Sequence, residues 1–249
     1  MNLIQDEKQF NNFVDNILPE LKDDEVYFIS LSARNKYFTN EEREKYALGR
    51  TEMFSRQIAK SKEQLKTYTI KKLEASLSYK TTKNGLQIPE KALVVYININ
   101  PSSMIKAYQL FQGEMNREVN DIMNALKNNK KPNYDRTLIQ ERLLMNCIQK
   151  SSGEKHYIDI DCDTKEPKIL HFLSKELCGA EIKFSIIETQ GGYHFLLKKN
   201  TLPKGFNLQG LLNDAISTDT NNSEIMINGN VMIPVPGTLQ ANKLVTILI

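Results

Sequence analysis

HYIDIDCDTKEPKILHFLSKELCGAEIKFSIIETQGGYHFLLKK, residues 156–199, is the stretch whose reading decides the fold. HYIDIDCD (156–163) alternates in polarity, the period-two mark of a strand with one buried face. Residues 167–177 place Ile169, Leu170, Leu173 and Leu177 at helical spacing, and Gly179 ends that helix. EIKFSIIE (181–188) and YHFLLKK (193–199) are two more strands, with TQGG (189–192) as the tight turn of a hairpin between them. FNLQGLLNDAI (206–216) is a second helix, and either EIMING (224–229) or VMIPV (231–235) supplies a fourth strand.

The resulting order, β-α-β-β-α-β, is that of a ferredoxin-like, RNA-recognition-motif-like unit of the α+β class. In that topology the first and third strands lie side by side at the centre of the sheet. Working outward, residues 1–150 read as an α/β N-terminal lobe and 151–249 as the second lobe, with a cleft between them. In the first lobe, 7–22 reads as an amphipathic helix, VYFISLS (26–32) as a strand, and Thr39 to Glu42 as a capping box. A helix is expected over about 50–78, a turn at Asn84-Gly85, and a strand at ALVVYINI (92–99) closed by Asn100-Pro101. Helices follow at 102–127 and 134–149, separated by the loop NNKKPN (128–133).

The chain has 249 residues, 40% apolar and 25% charged, and a net charge of +3. These figures exclude collagen-like, disulfide-scaffold and wholly disordered classes. No apolar run approaches the roughly 20 residues of a membrane helix, and MNLIQDEKQF is acidic and lacks the basic start and apolar stretch expected of a signal peptide. Three widely spaced cysteines, Cys147, Cys162 and Cys178, fit buried free thiols in a reducing cytoplasm better than a disulfide framework or a zinc site with His156 and His171. The near-neutral total hides an uneven distribution. Residues 5–25 carry seven acids against two lysines, whereas 56–83 carry eight bases against two acids. Such a basic run is a solvated helix face unless another part of the chain calls for a polyanion.

Asp159 and Asp161, two apart on one strand, project from the same face. Two partly buried carboxylates repel, and a divalent cation with a taste for hard oxygen ligands, Mg2+ or Mn2+, relieves both costs. Asp163 continues that face as a third ligand or as the start of the next turn. The expected topology sets His194 on the neighbouring strand. The glycines before it, Gly192 included, let a phosphate approach the backbone, with Thr189 ahead of them and Lys198 behind.

The strand YIDIDCD followed after one helix by TQGGYHFLL resembles motifs one and two of the archaeo-eukaryotic primase superfamily, which includes small primase-polymerases of phages and mobile elements. MIPVPGTLQANK is similar to the proline-glycine segment after their third motif, and YFISLSARNKY and VVYININPSS look like the N-terminal lobe of small members. The detailed likeness covers roughly 155–245. The resemblance implies a DNA primase-polymerase making a primer or DNA strand on single-stranded DNA from nucleoside triphosphates, with its active site in the cleft. Asp159 and Asp161 would hold two Mg2+ or Mn2+ ions; His194, with Thr189, Gly192 and Lys198, would meet nucleotide phosphate. A third acid is expected before the proline-glycine segment. Glu224, at the start of the fourth strand, fits better than Asp219 in its polar loop, and without it a binding-only relative results. Template contacts are expected from Lys60, Lys71 and Lys72 in the basic helix and from Lys130 and Lys131 in the loop. No P-loop pattern is present, so unwinding would need a separate helicase as partner; no membrane partner is expected, for want of a long apolar run.

Two rival readings exist. Asp161 with Glu181-Ile182-Lys183 satisfies the D…E-x-K pattern of metal-dependent nucleases, though it leaves His194 and the glycines unused. An RNA-recognition-like module would instead stack bases on Tyr157 and Phe195. Alternation is read as setting these two on the face opposite Asp159 and His194, which favours catalysis over passive binding.

Overall fold

The computed structural model describes residues 2–77, 86–131, 139–217, 224–228 and 232–249. Helices and antiparallel strands alternate along the chain, an α+β arrangement built on two five-stranded sheets. Helix α1 (Glu7–Asn12) starts at Asp6, whose carboxylate accepts from the Gln9 amide, and runs into a π-helical turn over Phe13–Ile17. Strand β1 (Glu25–Arg34) follows, then α2 (Asn40–Tyr46) and β2 (Thr51–Ala59). The expected capping box is present: the Thr39 hydroxyl accepts from the Glu42 amide and the Glu42 carboxylate from the Thr39 amide. Helix α3 (Lys62–Gln64) continues through a π turn into α4 (Ile70–Leu77). Strands β3 (Leu93–Asn98) and β4 (Ser102–Ser103) lead to the long α5 (Met104–Lys127) and to α6 (Ile139–Lys150).

β1 pairs with β2 on one side and β3 on the other, so it is buried along its length. Its alternation sorts two apolar faces. Tyr27, Ile29, Leu31 and Ala33 enter the main core, while Val26 and Phe28 pack with Ala107 of α5 and Ile148 of α6. This explains why VYFISLS is nearly continuously apolar and why Ser30 and Ser32, both buried, share a hydrogen bond.

The second sheet contains β5 (Tyr157–Cys162), β6 (Phe184–Glu188), β7 (Tyr193–Lys198) and β8 (Ile225–Asn228), with α7 (Pro167–Gly179) and α8 (Leu208–Ser217) in the connections. β9 (Met232–Pro234), β10 (Leu239–Gln240), β11 (Lys243–Leu244) and β12 (Thr246–Ile247) complete the chain. The second sheet has the order β12-β6-β7-β5-β8, so β5 and β7 are central neighbours. Ile160, Cys162, Phe195 and Leu197 face α7 and α8, joining Ile169, Leu173, Leu177 and Leu212 in one core. The opposite face turns towards the first sheet, where Tyr157, Ile187 and Leu196 join Phe13, Ile29 and Ile97. Asn100 pins this junction. Its side-chain carbonyl accepts from the His156 and Tyr157 amides at 2.8 and 2.9 Å, and its amide donates to the Tyr157 carbonyl at 3.0 Å.

Several expectations need correction. Residues 51–59 form a strand, not the start of a helix. They lie at a sheet edge with one half-buried face, a setting in which pairing with β1 overrides a helical pattern. Both candidates for the fourth strand are strands, in different sheets: β8 pairs with β5, whereas β9 pairs with β3. The tail after β8 thus joins both sheets, β9 through β3 of the first and β12 through β6 of the second. Tyr157 lies on the same face as Asp159, as its parity dictates, with its hydroxyl donating to the Ile17 carbonyl at 2.6 Å. Cys147 and Cys162 are buried, but Cys178 is exposed. The opposed charge runs fold against each other, since Lys66 pairs with Asp15 and Lys62 with Glu20, each at 2.6 Å. Asn84-Gly85, Lys80, Lys83, Asp219 and residues 132–138 lie outside the described residues. No helix among the described residues is long and apolar enough to cross a membrane.

Candidate active site

Register builds the site. Asp161 sits directly across from His194, and Asp159 is diagonal to it, so one imidazole meets two carboxylates. His194 Nδ1 lies 3.1 and 3.2 Å from the two Asp159 oxygens and 3.8 Å from an Asp161 oxygen. Asp159 is 1% exposed and His194 7%, so the pair is buried. Burial pulls the imidazole pKa down, but Asp159, helped by Asp161 and Asp163, outweighs it and holds the pKa above its ordinary value. The Asp161 carboxyl is pushed up, chiefly by burial. His194 opposes that shift, Asp159 and Asp163 add to it, and Lys36 eases it. Crowded carboxylates of this kind form a place that favours a cation.

On the other flank, β8 presents Asn228 across from Asp159 and Met226 across from Asp161, and Glu224, just ahead of the strand, meets Asp163. The Asn228 amide donates to Asp161 at 3.2 Å. Glu224 is exposed and precedes β8, and its carbonyl accepts from the Asp163 amide. The strand position facing Asp161 thus holds a methionine, and the carboxylate whose charge reaches Asp161 and His194 is Asp163.

The first sheet adds residues that sequence reasoning did not single out. Arg34, at the end of β1, donates to the Tyr96 hydroxyl at 2.7 Å. The Tyr96 hydroxyl is pushed up by burial, with Arg34 opposing and Asp161 adding. Tyr37 is likewise pushed up by burial, and feels Asp163. Arg34 and Tyr37 lie within YFISLSARNKY, a stretch picked out by resemblance, but only the tertiary fold brings them to the aspartates.

Other expected members have different places. Gly192 serves a protein backbone. A Cβ there would stand 1.8 Å from the Cys162 carbonyl oxygen and 2.6 Å from the Thr164 nitrogen, so the hairpin passes β5 only because this residue has no side chain. Thr189 accepts from the Gly192 amide at 3.2 Å and closes the turn. Lys198 lies across from Tyr157, four residues from His194 or about 13 Å along the strand. Lys60, Lys71, Lys72, Lys130 and Lys131 are exposed, and Lys72 sits 4.6 Å above the Tyr68 ring. The lysine whose charge reaches Asp161 is Lys36 instead. The D…E-x-K pattern does not assemble: Glu181 and Lys183 precede β6, and Lys183 bonds Lys198 at the far end of β7.

The donor set suits magnesium or manganese. These ions are commonly held by one or two carboxylates, with water and substrate phosphate completing the shell. Asp159 and Asp161 supply such a pair, although His194 must share Asp159. Among the described residues, no group of three or more His, Cys, Asp or Glu is gathered as a metal cage. Comparison with protein-family models, curated proteins and solved structures finds no match.

Behind the hairpin turn, Glu188 binds Lys243 of β11 and, at 3.1 Å, Lys165. The hydrogen bond from Lys243 holds the Glu188 carboxyl below the usual carboxylate range; partial burial opposes this and Lys165 reinforces it. A lowered folded-state pKa stabilises above the unfolded value of about 4.3 and is lost as pH falls through the folded value. Glu188→Gln is therefore expected to lower Tm by about 2–4 °C at pH 7, for a loss near 1 kcal/mol, and by nothing near pH 3. Melting curves of both proteins across that range check the sign.

Proposed function

We propose that this chain is a template-directed nucleotidyltransferase of the primase-polymerase type, acting on single-stranded DNA with nucleoside triphosphates. One observation carries the reading. The carboxylates of Asp159 and Asp161 and the imidazole of His194 share one face of adjacent strands, turned towards a sheet that presents Arg34 and Tyr96, with Lys36 in the turn after β1. Ignoring the added edge strand β12, the order β8-β5-β7-β6 suits a ferredoxin-like unit. The N-terminal sheet would then form the other wall of a catalytic cleft.

Phosphoryl transfer asks mainly for positioning and charge neutralisation. Bound Mg2+ or Mn2+ would act as a Lewis acid on the attacking hydroxyl and steady the leaving pyrophosphate. Asp159 and Asp161 would hold the cations. His194 commits Nδ1 to Asp159, which leaves Nε2 as the edge to meet a phosphate oxygen. Arg34, at the end of β1, and Lys36, in the turn after it, would balance phosphate charge. Asp163 would take the part expected of Glu224, because its charge reaches the other acids. The exposed lysines Lys60, Lys71, Lys72, Lys130 and Lys131 offer the template non-specific contacts, weakened by salt. Unwinding falls to a separate helicase.

The test is incubation with single-stranded DNA, labelled nucleotides and manganese. Products longer than one nucleotide are expected, reduced about 10²–10³-fold or more in Asp161→Asn. Template shortening without synthesis would replace this reading with a nuclease. DNA binding with no chemistry would replace it with a binding module.

A further inference from the structure

Lys198 lines a cavity away from His194. At its end of the second sheet, the segment after α1 and the ends of β5 and β7 line an open cavity of about 660 Å³. That volume lies within the range of small-molecule sites, roughly 300–1,000 Å³. Along β5, Asp159 and Asp161 lie two and four residues beyond Tyr157, and along β7 His194 lies four residues from Lys198.

Its charge is unbalanced. Each of the three acids on its wall already has a partner: Asp15 bonds Lys66, Glu20 bonds Lys62 and Glu154 bonds Lys22, all at 2.6 Å. Lys155, Lys198 and Lys199 also line the cavity, and among the described residues none makes an ion pair. Lys199 does feel the Glu154 charge, but that carboxylate is committed to Lys22. Three ammonium groups around one cavity repel each other, and a polyanion removes that cost. His156 lines the same wall with Nε2 buried and lacking a hydrogen-bond partner. A small ring rotation towards a ligand oxygen would satisfy it.

We propose that this cavity binds the polyphosphate of a nucleotide, at a site distinct from the carboxylates and independent of the polymerase reading. Lysine ammoniums recognise phosphate as point charges, and the volume accommodates the attached nucleoside.

Calorimetric titration of the full chain tests the assignment, with inorganic tripolyphosphate and then ATP in metal-free buffer. Both probes are expected to bind, about tenfold or more weakly to Lys198→Gln/Lys199→Gln, and with unchanged affinity to Asp161→Asn. Lys155→Gln/Lys199→Gln replaces two exposed side chains and repeats the test on a second background, with melting curves confirming that both variants fold. The proposal is overturned by absence of binding, or by affinity that ignores these lysines and falls in Arg34→Gln. It is also overturned if only a single-stranded oligonucleotide responds to the lysine variants, since the cavity would then belong to a polymer strand.

Discussion

His194→Ala is expected to lower the stability of the protein by about 3–5 kcal/mol, because it strands a buried carboxylate. Asp159 is 1% exposed and both its oxygens lie within 3.2 Å of the imidazole Nδ1. Removing the ring leaves that charge without a counter-ion in a poorly solvated place. At roughly 2–4 °C per kcal/mol, Tm should fall by about 6–20 °C. Two further measurements identify the cause. Asp159→Asn in the same chain should restore part of the loss, because the unpaired charge goes with it. Manganese should raise the Tm of His194→Ala more than that of the unaltered protein, because a cation then does for Asp159 what the imidazole did. A loss below about 1 kcal/mol would mean that Asp159 finds solvent or another partner.

Gly192→Ala is the second large effect. The new methyl would stand 1.8 Å from the Cys162 carbonyl oxygen, with Thr164 backbone atoms at 2.6 and 2.8 Å, so no side-chain rotation can relieve the clash. Overpacking of this sort costs about 1–3 kcal/mol and more where backbone must move. A loss near 3 kcal/mol, about 6–12 °C in Tm, is expected. Gly191→Ala is the control: there the added atom meets only the Asp163 side chain, at 3.3 Å, and that carboxylate can turn aside. Equal effects at the two positions would contradict the explanation.

The second half of the chain was the more legible. HYIDIDCD, TQGG and YHFLLKK carry local signals, a period of two and paired glycines, and β5, the turn and β7 follow them closely. Residues 51–59 were not legible in this way, since their strand exists only through pairing with β1, about 25 positions away. The role of VMIPV was hidden for the same reason, because its partner β3 lies more than a hundred residues earlier. Within the site, strand parity placed Asp159, Asp161 and His194 on one face. It could not foresee Lys36, Arg34 and Tyr96, whose approach depends on how the first sheet faces the second. Glycine was legible as a turn former, but the neighbour it makes room for, the Cys162 carbonyl, is a tertiary fact.

The account rests on the carboxylates beside His194 forming a divalent-cation centre. Manganese binding, followed by the paramagnetic resonance signal of the free ion, tests this most directly in the unaltered protein and in Asp161→Asn, each with and without a nucleoside triphosphate. The account predicts binding that tightens when nucleotide is present and is largely lost in Asp161→Asn. Manganese binding of equal strength in both proteins would contradict it, because the ion would then sit away from the strand that carries Asp159 and Asp161.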